Sequence, residues 1–414
     1  MDNNKHKKQN YLYVGLDIHK DTHTATIVDC WDEILGTITI ENRVNGYTKL
    51  LNKAKKLQGE LELVFGLEDV YSHGRNLAIY LQSKGYLVKE VNSALSHMER
   101  MSYPTTKKDD NWDSKCIASV LIRKLDELPE ANPQDYYWTI KMVVNRRSAM
   151  VKTLKALTNQ LHGQLVYNYP RYKKFFTDIL GKTALAFYKE YPSAKYLEGI
   201  KENELADFLR SHSNNSCSTK KSKVILNMIN EDGNNETEYS DYRDFLIQSL
   251  VREIKFTMEE MKKVEVQMKE LLKELELKLE SIPGISTITA ASLVAEIGDI
   301  NRFSNSDKLA KFAGIAPVNF SSSGKGKDRK SKQGNRDLFA TLYFLAIQQI
   351  QVSKGGLPRN PVFLNYYDRK VKEGKTKVQA LLCVMRRIMN IIYGMMKNRT
   401  EYILPSMENN IIQC

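Results

Sequence analysis

YLYVGLD, residues 11–17, is a short apolar run that ends on an acid, and its reading decides the fold of the first third of the chain. Its length and bulk suit a buried strand. The stretches that follow, THTATIV (residues 22–28) and ILGTITI (residues 34–40), alternate apolar and β-branched residues with the period of two that strands show. Beyond them the pattern changes. Residues 45–57 repeat at helical spacing and stop near Gly59, and LELVF (residues 61–65) is a fourth strand. Residues 71–84 predict a helix stopped by Gly85, YLVKEV (residues 86–91) a fifth strand, and residues 110–124 a further helix. A three-strand meander followed by strand–helix units predicts a mixed five-stranded sheet with helices on its faces.

The remainder reads as helical. Residues 136–167 are helical and basic, 170–209 form short helical pieces, and 211–239 are polar loops around a short helix at 223–229. Between Asp241 and Leu279 the apolar residues Ile247, Leu250, Ile254, Met261, Val264, Met268, Leu271 and Leu275 step by threes and fours, interrupted only at Thr257. That heptad seam predicts a coiled coil between chains, with a long helix packed on its own domain as the alternative. Pro283-Gly284-Ile285 then opens a helix over 287–297, an arrangement like a helix-hairpin-helix, whose glycine lets backbone N–H groups approach a phosphate. A plain apolar helical hairpin is the alternative. Helices at 306–312, 335–349 and 375–397 and a polar basic loop at 321–333 complete a C-terminal domain expected to be all-α. The expected organisation is a catalytic α/β domain at 1–128, a helical linker region at 129–240, a coiled-coil helix at 241–281, a helical domain at 282–400 and a tail at 401–414.

Composition narrows the function. The 414 residues are 42% hydrophobic and 27% charged, which is globular. There is no run of eighteen apolar residues, so no membrane span is expected. The start, MDNNKHKKQN, lacks the apolar stretch of a secretory leader, so a cytoplasmic location is expected. Five scattered cysteines without a C-x-x-C exclude a structural zinc site and a disulfide framework, and predict free thiols in a reducing compartment. Sixty-two Lys and Arg against 49 Asp and Glu give a net charge of +13, which favours a polyanionic partner. The candidates to hold phosphate are Arg146, Arg147, Lys325, Lys327, Arg329, Lys330 and Arg336, with Arg386 and Arg387 beside them; for each one alone, surface solubilisation is the plainer role.

Two groups of residues carry chemistry. Asp17 ends the first strand, Glu68 follows the fourth, and Asp110 and Asp113 lie three apart at a helix start, on one face. If the first and fourth strands are neighbours, these four acids meet. They cannot all stay ionised without a counter-charge, which divalent metal ions with hard oxygen ligands supply. Asp109 and Asp69 are weaker candidates, and His19 and His23 are expected to be solvated in a hairpin. The second group is SSSGK, residues 321–325, in a basic stretch. It is no Walker A loop, because Asn319 stands where the first glycine would be needed. A serine beside glycine, with lysines and arginines around it, suits a nucleophile toward phosphorus, and a plain linker is the alternative.

Together the motifs resemble one family, the DEDD-motif insertion-sequence transposases, kin of the pilin-gene invertases and known as bridge-RNA-guided recombinases. YVGLDIHKD resembles the family's first acidic strand, GLEDVYSHG its Glu motif, and KKDDNWDSKCIA its K-x-D-x-x-D-A helix with Ser114 in place of alanine. IPGISTITAASLVAEIGDINRF, FAGIAPVNFSSSGK, QGNRDLFATLYFLA and NPVFLNYYDRKVKEGKTKVQALLCVMRRI follow the transposase domain in order. The resemblance implies an RNase H/RuvC-like domain whose metal-binding acids are Asp17, Glu68, Asp110 and Asp113, with Mg²⁺ or Mn²⁺. It also implies a nucleophilic serine immediately before a glycine. Anchoring on the glycine gives Ser323; anchoring on the proline, one residue out of the usual spacing, would give Ser322. It further implies donor and target DNA, a structured guide (bridge) RNA, a dimer assembling to a tetramer, and a bacterial, nucleoid-associated location. Two other readings compete: a metal-dependent RuvC-like junction nuclease using water, and a non-catalytic nucleic-acid-binding protein.

Overall fold

Strand β1 (Tyr11–Ile18) lies at the centre of a sheet because its residues are apolar on both faces. β2 (Thr22–Val28) and β3 (Ile34–Glu41) pair outward from it antiparallel, and β4 (Glu62–Leu67) and β5 (Leu87–Glu90) pair parallel on the other side. The order is β3-β2-β1-β4-β5, the mixed five-stranded sheet expected, and it is consistent with an RNase H-like domain. The computed structural model describes residues 7–104, 109–133, 135–215, 219–233, 238–316, 318–322, 325–329 and 333–404. The chain divides into two compact units, Met1–Trp138 and Thr139–Cys414.

In the first unit, one face of the sheet presents Leu12, Val14, Leu16, Ile27 and Phe65 to α1 (Val44–Gln58) and α2 (Arg75–Ser83). The other face presents Tyr13, Val28 and Val64 to α4 (Asp110–Lys124), with α3 (Ser93–Met101) beside it. α4 rests on backbone. Gly15 and Gly66 are register partners on β1 and β4, and a Cβ on Gly15 would lie 2.3 Å from the Ala118 nitrogen and the Ser114 oxygen. Only glycine permits that approach. The Thr26 and Ser114 hydroxyls, 2.6 Å apart, fix the helix along the strand direction.

The second unit is mostly helical: α5 (Asp135–Asn168), whose first residues close the first unit, α6 (Lys182–Glu190), α7 (Glu202–His212), α8 (Thr219–Asp232), α9 (Ser240–Glu274), α10 (Thr287–Ile297), α11 (Ser306–Phe312), α12 (Arg336–Gln349), α13 (Pro361–Lys372) and α14 (Lys377–Asn398). The heptad helix is α9, but its seam residues Ile247, Leu250 and Ile254 are buried in one cluster with Leu157, Leu161 and Leu165 of α5 and Leu185 and Tyr188 of α6. Arg147 contacts Glu265 at 2.7 Å, and Asn168 contacts Asp244 at 2.8 Å, so the two helices run antiparallel. This half of the seam, expected between chains, is used within one chain. Further along, Met268 is buried and Met261, Val264, Leu271 and Leu275 are half-buried.

One further expectation is corrected. The C-terminal domain is not all-α: β6 (Val318–Ser322) and β7 (Lys325–Arg329) form an antiparallel hairpin that overlaps the stretch read as a loop, with Ser322 opposite Lys325. Gly314 (φ 69°) and Gly334 (φ 114°) pack against each other beside it, a Cβ on Gly334 falling 2.5 Å from the Gly314 nitrogen. The Pro283-Gly284 turn does have the left-handed glycine of a helical hairpin (φ 90°), but its backbone is covered by its own chain. The Gln349 side chain donates to the Pro283 carbonyl, and the Arg359 guanidinium lies where a Cβ would point. That packing favours the plain apolar hairpin over an open phosphate-binding turn.

α14 has the length and mean hydropathy of a membrane span. It carries Arg386 and Arg387 at its middle and buries Val384, Met385, Ile388, Met389 and Ile392 among its neighbours α11, α12 and α13, as a core helix does. Cys30, Cys116 and Cys383 are free thiols, as expected.

Candidate functional site

Three element ends place the acids. Asp17 is the penultimate residue of β1, and the pleat turns it to the face that α4 covers. α4 begins at Asp110, so Asp110 and Asp113 share its first turn. Glu68 follows the last residue of β4, the parallel neighbour of β1. The condition set by sequence, that the first and fourth strands be adjacent, is met.

Asp17 and Asp110 converge with a residue read from sequence as solvated. His19 Nε2 lies 3.1 Å from Asp17 Oδ2 and 3.5 Å from Asp110 Oδ1. One ligand atom from each of the three falls within 4.8 Å of the others. His23, its expected companion, is not solvated at all: it is fully buried on the opposite face and stacks on Tyr47 at 6.3 Å. Burial pushes the Asp17 carboxyl above its ordinary value; His19 opposes this, and the charges of Asp113, Glu68 and Asp110 add to it. Asp17 therefore feels the other three acids, although Glu68 and Asp113 have partners of their own. The Ser96 hydroxyl donates to Glu68, and Arg100 donates to Asp113 at 2.6 Å. Both partners come from α3, which sequence reasoning passed over. It is nine residues long, with a single cap signal in Asn92.

The weaker acids resolve into structural parts. Asp109 caps α4, accepting from the Trp112 N–H at 2.8 Å. Asp69 accepts from the backbone N–H groups of Tyr71, Ser72 and His73 and shapes the turn after Glu68. The remaining set fits a divalent ion. Asp17 and Asp110 offer hard oxygens at one point, Glu68 and Asp113 stand near enough to act on Asp17, and a bound cation would offset both the burial of the Asp17 charge and the repulsion from its neighbours.

In the second unit, Ser323 lies outside the described residues, as does Lys330. Ser322 ends β6, and Lys325, Lys327 and Arg329 belong to β7. Arg336 is the exposed first residue of α12, and Arg146 is exposed on α5. Arg147 is half-buried in its ion pair with Glu265, which makes it a link between helices rather than an open phosphate contact. Arg386 is likewise held by Asp307 and by the Ser306 carbonyl, and Arg387 lies 4.9 Å over the Tyr366 ring. Sequence missed the buried Glu296, which accepts from Asn335 at 2.7 Å and Lys141 at 3.3 Å and so ties α10 to the cap of α12.

Comparison with known proteins agrees with this layout. A profile described as Transposase, of the DEDD type, matches residues 14–170, and one described as Transposase IS116/IS110/IS902 family matches residues 277–368. The chain is 24% identical to the insertion element IS116 44.8 kDa protein of Streptomyces clavuligerus over 94% of this chain and 95% of that one. It is 22% identical to the transposase for insertion sequence element IS1111A of Coxiella burnetii, over 75% of this chain and 70% of the relative. It is also 32% identical to the pilin gene-inverting protein of Moraxella bovis, over 30% and 37% of the two chains. Each profile falls on one of the two residue groups: the first spans the four acids, the second the basic hairpin.

Proposed function

Because the chain belongs to the IS116/IS110/IS902 transposase family, we propose that it cuts and exchanges DNA strands for an insertion sequence, with Ser323 as nucleophile and Asp17, Glu68, Asp110 and Asp113 as the metal-holding set. The observation that carries the acidic half is the meeting of Asp17, Asp110 and His19 at one point, with burial first and then the charges of Asp113, Glu68 and Asp110 raising the Asp17 pKa. Bound there, Mg²⁺ or Mn²⁺ would supply Lewis acidity and charge neutralisation at a phosphodiester. The Ser323 hydroxyl attacks phosphorus, the new bond is Oγ–P, and the bond broken is that to a deoxyribose oxygen, which leaves with a proton. The serine's own proton goes to solvent or a nearby base. Lys325, Lys327, Arg329, Lys330 and Arg336 hold the phosphate backbone, and the net charge of +13 suits a chain that binds two DNAs and a structured guide RNA. Assembly as dimer and then tetramer, with serine and acids from different subunits, completes the reading, as does a nucleoid-associated location in the bacterial cytoplasm.

Trapping decides between this reading and a water-using nuclease. Incubation with element-end DNA and Mg²⁺, followed by denaturation and peptide mapping, is expected to yield a phosphoserine adduct at Ser323. Ser323→Ala is expected to lose the adduct and at least about a thousandfold in strand cleavage, the scale of removing a covalent nucleophile. Undiminished cleavage by that variant would leave water as the nucleophile. An adduct at Ser322 would move the assignment by one residue.

A further inference from the structure

Ser96 and Arg100 stand four residues apart on α3, and each takes hold of a different acid. The Ser96 hydroxyl donates to Glu68, and Arg100 donates to Asp113 at 2.6 Å. The arginine pair is sheltered, its side chains 28% and 19% exposed, so water screens it less than a surface pair. Arg100 is braced by His97 Nδ1 at 3.0 Å, and α3 is anchored to α4 by the Glu99–Arg123 ion pair. One short helix thus controls the two acids that do not join the Asp17–His19–Asp110 group.

We infer that α3 is the positioning helix of the acidic site, and that its Arg100 is the resident counter-charge of Asp113, competing with a divalent cation for that carboxylate. The inference rests on the metal-holding role proposed above. The two partners act in opposite senses. Ser96 is neutral and orients a Glu68 oxygen without offsetting its charge, so it favours cation binding. Arg100 occupies an Asp113 oxygen and brings a positive charge that repels a dication, so it disfavours binding. A DNA phosphate offers the guanidinium fork a second, well-matched partner. When the backbone of a bound duplex takes Arg100, Asp113 is released, and the site gains cation affinity at the moment substrate is present. Arg100 is a positioning residue in this scheme, acting through Asp113.

The test is Mn²⁺ binding to the full-length protein, followed by the electron paramagnetic resonance signal of free Mn²⁺, with no nucleic acid present. Arg100→Ala and the longer Arg100→Gln are each expected to bind Mn²⁺ about tenfold more tightly than wild type, the scale of one sheltered charged hydrogen bond. Arg100→Lys, which keeps the charge, is expected to stay near wild type. Adding Asp113→Asn to Arg100→Ala is expected to erase the gain. Uncleaved duplex DNA is expected to tighten Mn²⁺ binding more in wild type than in Arg100→Ala. Wild type that binds Mn²⁺ through Asp17, with folded alanine and glutamine variants binding no more tightly, would overturn this inference and leave the site reading intact. A wild type that binds no Mn²⁺ at all would overturn both.

Discussion

Asp17 is where the cost of the site is concentrated. Its side chain is largely sheltered, and burial together with three neighbouring acids raises its pKa above the ordinary carboxyl value. The folded chain therefore holds this proton more tightly than the unfolded chain does. The stability that follows is fully present below the unfolded pKa, near 3.8, and is lost as pH rises through the folded value. At neutral pH the ionised carboxylate is a liability in the metal-free protein, a cost that the proposed metal-holding role would account for. Asp17→Asn is expected to abolish cleavage yet melt about 3 °C above wild type at pH 7 without metal, a shift of the size ~1 kcal/mol produces. The gap should close by about pH 3, where both forms are neutral, and narrow when Mg²⁺ is added to wild type. Thermal melts across that pH range check the sign: a variant melting below wild type at pH 7 would mean that burial and repulsion do not dominate at this position.

At the scale of elements, the site depends on how closely α4 lies on β1, which is set by Gly15. Gly15→Ala is expected to force the helix off the strand, cost about 3 kcal/mol as overpacking does, and separate Asp110 and Asp113 from Asp17. Denaturant unfolding together with Mn²⁺ binding would show both effects. Gly163→Ala on α5, where a Cβ meets nothing within 4 Å, serves as the control and is expected to be neutral or slightly stabilising. A Gly15→Ala protein with wild-type stability and metal affinity would remove the close approach from the account. The same elements mark what could be read in advance. Strand alternation and helix stops placed β2, α4, α10 and α11 at their observed bounds, because one buried face imposes a period on the sequence. Periodicity does not say what a face is buried against, so the α9 seam pointed to another chain when its first half is buried within its own, among residues of α5 and α6. The β6–β7 hairpin was hidden because Val318 and Phe320 are its only apolar alternation and SSSGKGKDR continues without any; its pairing is carried by backbone groups. The element ends that carry the four acids were legible, and His19 was in view beside Asp17 but read as solvated, whereas Ser96 and Arg100 were not, since each reaches its acid only once the fold brings separate segments together.

For the whole molecule, the proposed division of labour follows the chain. The acids lie in the unit ending at Trp138, and Ser323 belongs to the unit that follows. If one subunit's serine works with another's acids, the two kinds of defect must complement each other. A protein with Asp17→Asn retains its serine, and one with Ser323→Ala retains its acids. Each alone is expected to be inactive. In a random one-to-one mixed assembly, a site drawing its two halves from different subunits receives both intact halves about one time in four. Mixing the two variants before adding DNA is therefore expected to restore roughly a quarter of wild-type cleavage per site. A site built within one subunit would receive an intact pair in no assembly, and the mixture would stay at background. The restored cleavage should leave its covalent adduct only on the Asp17→Asn chain, because that chain alone carries the hydroxyl. Mass-tagging one of the two variants reads this directly, and an adduct on the Ser323→Ala chain would mean that another residue makes the bond.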